Sequence, residues 1–569
     1  MPAGLAAWGA LAGIAAAVPV GALLALHQAS GPVDLPVLLA YPPVMGALIA
    51  IATAPRLRGR VPIASAGLVM GLLGWLVWSL TLDPWLRGER LDWSIVSAAH
   101  AYPVLVADLA HGSLTALLVQ LLRAIGPLRA GTDAAKDSPA TLGRVVIVGS
   151  GFAGVSAAKR FERLALRNIP IDVTLVGSSN FLLFTPMLAE VASGALEPAH
   201  ISAPVRASVA HTRFRNRTVA AVDTDRKLVE LAPGAAPAEW VPYDHLVLAV
   251  GSVPHFLGLP GVEDFAMTLK DLHDATALRD HVLEQLEQAD SVEPDPAERA
   301  RMLTFVVAGG GFAGAEAVAE LFDLVHGVLP FFPGITPDEP RFVLVHSREH
   351  ILPELSAALG DYAMQRLRAR GIEFRLTARV SGATPVEVRL DDGGTIPTRT
   401  FVWTAGNRPS PLVRSIGGEH ARGGALATDS CFRVTGLEDV WAIGDCARIP
   451  DPGGPDTFYP PTAQHALREG AALADNVASV LRGRTPREFR FRTIGVLVAL
   501  GHRTAAAEIR GHRFSGFAAW MMWRAIYLAK LPGVEKRVRV LLDWVIDLVL
   551  PRDIVVTRSE SPTRPERVR

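Results

Sequence analysis

The sequence has few cysteines, and none are spaced as a redox motif. Its 569 residues contain only two, Cys431 and Cys446, far from the Cys-x-x-Cys spacing of a catalytic dithiol. A redox-active disulfide of the disulfide-reductase kind is therefore excluded, because that chemistry needs two neighbouring thiols. So few cysteines are typical of a reducing compartment, or at least require no oxidising one.

An excess of charge of either sign is also missing. The chain has 56 Lys and Arg residues against 56 Asp and Glu residues, which leaves a formal net charge of zero. A general nucleic-acid binder would carry a basic excess. We therefore expect no nucleic-acid partner and look for partners among small molecules and lipid. No metal-binding residues are predicted.

Apolar residues, by contrast, are abundant. Half of the chain is hydrophobic and its mean hydropathy is +0.27, which is high for a soluble protein. Four largely apolar runs, each about long enough to cross a bilayer, lie at residues 5–26, 35–54, 61–82 and 93–125. The first is not read as a signal peptide, because no basic residue precedes it. We predict an all-α transmembrane region of about four helices over residues 1–130.

Basic residues suggest how such a region would be oriented. They lie after the second run and at or beyond the end of the fourth: Arg56, Arg58, Arg60, Arg123, Arg129 and Lys136. Because basic loops favour the cytoplasmic side, the expected location is the cell membrane, multi-pass, with the catalytic domains in the cytoplasm.

Three ionisable residues interrupt the fourth run, where burial in lipid would be costly. His100, Asp108 and His111 are compatible with haem ligation, a proton path or quinone contacts, and equally with a polar cluster between helices or a span that starts later. We do not predict them as site residues.

After a linker at residues 130–142 the composition changes. β-branched segments at 145–148, 171–176 and 245–250 alternate with helical stretches, which is typical of α/β layers. The predicted domains are a transmembrane region (1–130), a nucleotide-binding domain in two parts (140–300 and 411–490), a second nucleotide-binding domain (301–410) and a C-terminal region (491–569).

The first chemical motif is a glycine-rich turn. Val145–Val148 leads directly into Gly149-Ser-Gly151-Phe152-Ala153-Gly154, followed by a helical stretch. In this pattern the first glycine permits a tight turn, the second lets the backbone approach a pyrophosphate, and the third lets helix and strand pack closely. A structureless glycine-rich turn is the alternative, but the strand before the motif disfavours it.

The motif occurs a second time as Gly309-Gly310-Gly311-Phe-Ala-Gly314, two residues before Glu316. Two dinucleotide-binding folds predict two dinucleotides. We assign FAD to the first and a nicotinamide coenzyme to the second, because hydride transfer requires donor and flavin to be in contact.

A third motif, Gly444-Asp445, ends the apolar segment 440–443. In flavoproteins with two dinucleotides this carboxylate accepts hydrogen bonds from the ribityl chain; a plain turn is the alternative. Gly251 and Gly406, which each close another apolar segment, complete the pattern as strand-to-loop crossings.

From residue 144 to about 558, the sequence resembles the type II, non-proton-pumping NADH:quinone oxidoreductases. The resemblance implies a membrane-bound FAD enzyme that oxidises NADH or NADPH and reduces a membrane quinone. It also implies a flavin loop at 180–188 with Pro186, and Glu316 near nicotinamide and flavin. Ala463 and Gln464 match the quinone-site motif, whose last Gln is replaced here by Arg468.

Neither predicted nucleotide-binding unit has the acidic residue that usually ends its second strand and holds a ribose. In the first unit Gly177-Ser178-Ser179 stands there, so Ser178 is expected to take over the contact. In the second unit the segment 341–345 ends in His346-Ser347-Arg348. Without a carboxylate at these positions to repel a 2′-phosphate, we expect both NADH and NADPH to be accepted. The alternatives are that Glu349, the next residue, takes the acidic role and that Arg348 is a solvated surface residue.

The C-terminal region mixes aromatic, aliphatic and basic side chains, as in Trp520, Trp523 and Arg524. This composition favours amphipathic helices lying in the headgroup zone, where a quinone can reach the flavin. A pair of core helices or an oligomer interface would have a similar composition, and a homodimer remains open.

Three other functions are weighed for the same fold. Sulfide:quinone oxidoreductases need cysteines beside the flavin, which two cysteines make improbable. A non-catalytic membrane redox sensor, whose quinone site was lost through changes such as Arg468, is another alternative. Ferredoxin-type reductases would need no membrane segment.

Overall fold

The computed structural model describes residues 71–72, 108–116, 118 and 141–556, except 235, 292–294 and 455–456. The chain divides into two compact units, Met1–Pro139 with Gly533–Val538 and Ala140–Pro532 with Arg539–Arg569. Nearly all of the described residues belong to the second unit.

The predicted transmembrane region needs correction. Among the described residues no helix is long and apolar enough to cross a membrane. By this finding the all-α transmembrane part of the predicted fold class was wrong, and the multi-pass location has no support. Apolar runs predict burial without distinguishing a bilayer from a protein core.

Most of the four expected spans, with His100, lies outside the described residues. Asp108 and His111 are described, and both are buried in a helical segment.

Residues 144–302 form the first α/β segment. Its strands are β1 (Arg144–Val148), β2 (Asp172–Gly177), β3 (Phe181–Leu183), β4 (Ser202–Pro204), β5 (Arg213–Asn216), β6 (Val219–Asp223), β7 (Leu228–Leu231), β8 (Glu239–Pro242), β9 (His245–Leu248), β10 (Ser252–Pro254) and β11 (Met267–Thr268). Its helices are α1 (Phe152–Ala165), α2 (Leu188–Ala192), α3 (Val205–Ser208), α4 (Val262–Phe265), α5 (Leu272–Ser291) and α6 (Pro296–Met302).

The chain then continues with a second series of elements. Its strands are β12 (Thr304–Ala308), β13 (Arg341–His346), β14 (Ile372–Leu376), β15 (Val380–Thr384), β16 (Glu387–Leu390), β17 (Thr395–Pro397), β18 (Thr400–Trp403), β19 (Asn407–Pro409), β20 (Leu426–Ala427), β21 (Val440–Ala442), β22 (Ala447–Arg448), β23 (Gly495–Ala499), β24 (Ala505–Ile509) and β25 (His512–Ser515). Its helices are α7 (Phe312–Val328), α8 (Ala357–Ala369), α9 (Ala463–Val480), α10 (Gly516–Lys530) and α11 (Val534–Val549).

Two parallel sheets carry the architecture, with strand orders β21-β9-β1-β2-β5 and β11-β18-β12-β13-β14. β1 and β12 lie inside their sheets and are buried and rich in valine, as strands covered on both faces should be. Each runs into a glycine loop and then a helix, α1 or α7. The predicted α/β class with two dinucleotide-binding folds is confirmed.

Later segments complete both halves. β21 returns to the first sheet beside β9, and α9 packs along α1. The antiparallel sheet β23-β24-β25 packs against α7, α8 and α10, so the C-terminal region shares a hydrophobic core with the second α/β half.

Candidate active site

The two glycine loops are nearly identical in geometry. Gly149 and Gly309 have φ of 113° and 114°, a left-handed conformation that favours glycine. A Cβ on either would overlap the neighbouring segment, Ala249 or Thr404. The chain thus builds the same turn twice, once per parallel sheet.

Past the turn, the first loop leaves room for a ligand. A Cβ on Gly151 would meet nothing within 4 Å, so the protein leaves the space before it open. A Cβ on Gly154 or Gly314 would overlap the carbonyl of Gly149 or Gly309, which confirms close helix–strand packing there. Phe152 and Ala153 begin α1, whose first turn has neither an acidic residue nor a side-chain cap. Its N–H groups and positive end therefore suit a pyrophosphate.

Ser178 and Ser179, which follow β2, have different surroundings. Ser150 Oγ donates to the carbonyl of Ser179 (3.2 Å), and Ser179 Oγ donates to that of Phe181 (2.8 Å). Ser178 is exposed at the strand end. Its position suits a contact with a ribose hydroxyl.

Asp445 lies in a short hydrogen-bonded chain. Ser252 Oγ donates to Asp445 Oδ2 (2.6 Å), and Lys270 Nζ donates to Ser252 Oγ (2.9 Å) while lying 4.0 Å from the carboxylate. The N–H of Gly444 donates to Glu469 (2.8 Å). Burial raises the pKa of Glu469 to about 7. Sequence analysis missed the partners of this turn, because they come from distant segments.

The two segments that follow Gly251 and Gly406 pair with each other as strands. β10 follows Gly251 and lies antiparallel to β19, which follows Gly406. The N–H of His255 donates to the carbonyl of Gly406 (3.0 Å). The two glycines predicted from separate segments therefore lie at the start of one two-stranded connection.

His346 is held at the second glycine loop. Its Nδ1 accepts the N–H of Gly310 (3.0 Å), so the neutral ring carries its proton on Nε2, which is buried and has no partner among the described residues. Burial lowers the pKa of His346, with a further contribution from Arg348. Ser347 and Arg348 are exposed beside it. A buried N–H donor and an exposed cation thus stand where the acidic residue is absent.

Glu316 lies on α7, partly buried, and its carboxylate accepts the N–H of Ala499 (3.3 Å). Burial raises its pKa to about 8, and the charges of Glu190 and Glu320 add to the effect. Tyr527 interacts with it electrostatically, and both burial and Glu316 raise the pKa of this tyrosine. Glu190, Glu320 and Tyr527 lack a motif, and sequence analysis did not select them.

An aromatic series links the first glycine loop to the C-terminal region. The rings of Phe152 and Phe184 meet edge to face with centroids 6.0 Å apart, as do those of Phe184 and Tyr527. Pro186 follows in the short 3-10 turn Thr185–Met187. The predicted flavin loop therefore lies between the loop at α1 and helix α10.

Ala463 and Gln464 begin α9, whose N-terminus is capped by Thr462. Arg468 donates to the backbone carbonyl of Gln464 (3.0 Å) and lies over the ring of Phe491 at 4.2 Å. Arg468 therefore contacts the backbone of Gln464 and not its side-chain amide. The amide of Gln464 is not used in this contact.

Neither cysteine is suited to thiol chemistry. Cys446 is fully buried, and burial raises its pKa to about 12. Burial also raises the pKa of Cys431. Both therefore stay as neutral thiols at physiological pH.

Comparison with known proteins agrees with this geometry. Residues 143–470 match the family described as pyridine nucleotide-disulphide oxidoreductase, and residues 494–553 match the NDH2 C-terminal domain. A probable NADH dehydrogenase of Dictyostelium discoideum is 31% identical over 419 residues, which are 72% of this chain and 90% of that protein. The type II NADH:quinone oxidoreductase Ndh of Mycobacterium tuberculosis is 29% identical over 441 residues, covering 74% and 92%.

Solved structures share the fold. NDH2 from Plasmodium falciparum, in complex with NADH, superposes with a TM-score of 0.66 at 19% identity, covering 73% of this chain and 99% of its own. The sulfide:quinone oxidoreductase of Aquifex aeolicus gives a TM-score of 0.55 at 18% identity, covering 72% and 95%. At such identities the likeness concerns the fold alone.

Proposed function

The chain belongs to the type II NADH dehydrogenase family, an FAD-dependent oxidoreductase of NADH and quinone, and on that premise we propose which of its residues perform each part of the reaction. The observation that carries the proposal is the duplicated glycine loop. Two turns of matching φ, each followed by a helix N-terminus, support two dinucleotides bound side by side.

FAD is assigned to the first loop. Gly149, Gly151, Phe152, Ala153 and Gly154 form the pyrophosphate cradle. Ser178 is assigned to the adenosine ribose and Pro186 to the flavin. Asp445 is assigned to the ribityl hydroxyls. At Gly251 and Gly444 the backbone is expected to come close to the FAD. The corresponding domain limits are 140–300 and 411–490 for FAD, and 301–410 for the coenzyme.

The nicotinamide coenzyme is assigned to the second loop, through Gly309, Gly311, Gly314 and Gly406. His346 holds the loop through its Nδ1, which accepts the N–H of Gly310, and the exposed Ser347 and Arg348 are assigned to the ribose and its 2′ position. This donor set lacks a carboxylate, which favours acceptance of NADPH beside NADH.

Bound FAD supplies the electron relay between the nicotinamide and the quinone. The protein's part is to orient both substrates and to move a proton. Glu316, whose raised pKa keeps part of it protonated near neutral pH, holds a proton for the reduced quinone. Gln464, with Ala463 beside it, orients the quinone headgroup through its amide.

We further propose that residues 491–569 dock the protein on a membrane. Exposed apolar side chains on α10 and α11 support this: Phe517, Met521, Leu541, Leu542, Val545, Ile546 and Leu548. Helices with such a face lie in the headgroup zone, within reach of a lipid-soluble quinone. A homodimer built through the same face is the competing outcome of a vesicle-binding test.

Sulfide oxidation is the disfavoured alternative. It shares the fold, but its chemistry needs reactive cysteines, and both thiols here have raised pKa values.

The quinone assignment is tested on the two half-reactions separately. Gln464→Ala should leave flavin reduction by NADH unchanged and slow reoxidation by a soluble quinone about tenfold, the value of one or two hydrogen bonds. Gln365→Ala, the same change on the exposed side of α8, should alter neither rate. Equal reoxidation rates in the two variants would remove Gln464 from the quinone site.

A further inference from the structure

Two buried carboxyl groups, both 6% exposed, lie next to the proposed site without a role in it. Glu190, on α2, accepts the indole N–H of Trp544 (3.3 Å) and lies 4.0 Å from Arg524 Nη2. Glu320, on α7, accepts the hydroxyl of Ser193 (2.6 Å). Such groups are costly to bury, so their retention calls for an explanation.

Glu320 lies one helical turn after Glu316 on α7, a separation of four residues that puts both side chains on the same helix face. Both Glu320 and Glu190 act electrostatically on Glu316. Glu190 and Glu320 also line the same small cavity, so we treat the three carboxyl groups, Glu316, Glu320 and Glu190, as one cluster and call it the carboxylate chain.

Two of the arginines around the carboxylate chain also pair with other carboxylates, and a third, Arg524, lies 4.0 Å from Glu190. Arg370 pairs with Asp323, and Arg552 Nε pairs with Asp547 (3.1 Å), while its Nη2 stays 3.8 Å from Glu320. The charged and titratable groups that face the chain are Asp323, Arg370, His502, Arg524, Asp547 and Arg552. Together with the chain itself, carboxyl groups outnumber arginines among these described residues, so full ionisation is unfavourable.

Burial raises the pKa of Glu190 to about 8, with Glu320 adding to the effect, and burial likewise raises that of Glu320. A carboxyl group with a pKa of about 8, as for Glu190 and Glu316, holds its proton near neutral pH and loses it as the pH rises through that value. The chain is therefore partly protonated at physiological pH.

A small cavity lies beside the carboxylate chain. Its walls include Glu190, Glu320, Ala499, Asp547 and His502. Ala499 also donates its N–H to Glu316, and His502 is exposed. The lining thus extends from the neighbourhood of Glu316 to solvent.

We propose that Glu320 and Glu190 carry a proton from solvent at His502 to Glu316, which passes it to the reduced quinone. The proposal rests on the role assigned above to Glu316. NADH gives two electrons and one proton as a hydride, whereas quinone takes up two electrons and two protons to become quinol. One further proton must therefore enter from solvent in each turnover, and the carboxylate chain supplies that entry.

The test uses the FAD-loaded full chain and the variant Glu320→Gln, which keeps shape but cannot titrate. Flavin reduction by NADH should be unchanged. Quinone-dependent reoxidation should be slowed about tenfold above pH 8. Below pH 8 the effect should be smaller, because Glu316 is already protonated between turnovers in that range. The solvent deuterium effect on reoxidation should rise. Glu287→Gln, an exposed control, should behave as the parent.

A second readout does not depend on turnover. In infrared difference spectra on flavin reduction, the carbonyl stretch of a protonated carboxylic acid should weaken in Glu320→Gln and in Glu190→Gln. Glu320→Asp should recover most of the high-pH reoxidation rate.

A loss that is equal at all pH values, or an unchanged carboxylic band, would mark the chain as structural and overturn the proposal. If Glu316→Gln slows reoxidation while Glu320→Gln does not, only the relay fails. If Glu316→Gln has no effect, the proposed role of Glu316 fails as well.

Discussion

Coenzyme choice can be tested at one residue. Arg348 is exposed beside His346, at the strand end where an NAD-specific site has a carboxylate. A hydrogen bond to a charged group is worth about 1.5–3 kcal/mol, and solvent screening of an exposed cation puts its value near the lower end. Arg348→Ala should therefore lower kcat/KM for NADPH about tenfold relative to NADH.

The assay is the ratio of kcat/KM values for the two coenzymes with one soluble quinone at low ionic strength. Arg389→Ala, which removes an exposed arginine from β16, controls for the change in net charge. Equal effects of Arg348→Ala on both coenzymes would show that Arg348 does not bind the 2′-phosphate. The absence of NADPH oxidation by the parent protein would refute the prediction as well.

Three further predictions concern the cofactor, the thiols and the membrane. Gly151→Val should fold normally, because its Cβ meets no protein atom, yet lose FAD from the purified protein; full flavin occupancy by absorbance would contradict the cradle. Replacing both Cys431 and Cys446 by Ala should leave quinone reduction largely intact, and loss of turnover with FAD retained would implicate a thiol. Ile546→Glu should reduce flotation with anionic vesicles several-fold while Ile546→Leu does not, and a changed oligomeric state with unchanged flotation would favour an interface between copies.

The parts of the fold predicted from sequence are those encoded locally. Gly149, Gly309 and their neighbours specify a turn within six residues, so the glycine spacing directly after an apolar strand pattern located both loops. The order of strands in each sheet was not specified locally, and the return of β21 beside β9 depends on packing across about 190 residues.

In the candidate site, too, residues within a local motif were predicted and their partners from distant segments were not. Asp445 was selected from its Gly-Asp pattern, but Ser252 and Lys270 reach it from other segments, and nothing near either residue marks that contact. Glu190 and Glu320 look like ordinary helix residues in the sequence, and only burial distinguishes them. The apolar runs before residue 130 were over-interpreted, because hydropathy alone does not identify the surroundings of a helix.

The central claim is that electrons pass from NADH through a bound flavin to quinone, and one anaerobic absorbance experiment tests it directly. Stoichiometric NADH should bleach the flavin bands of the purified protein, and a soluble quinone added next should restore them as quinol forms. Flavin that NADH does not bleach, or reduced flavin that quinone fails to reoxidise, would contradict the account.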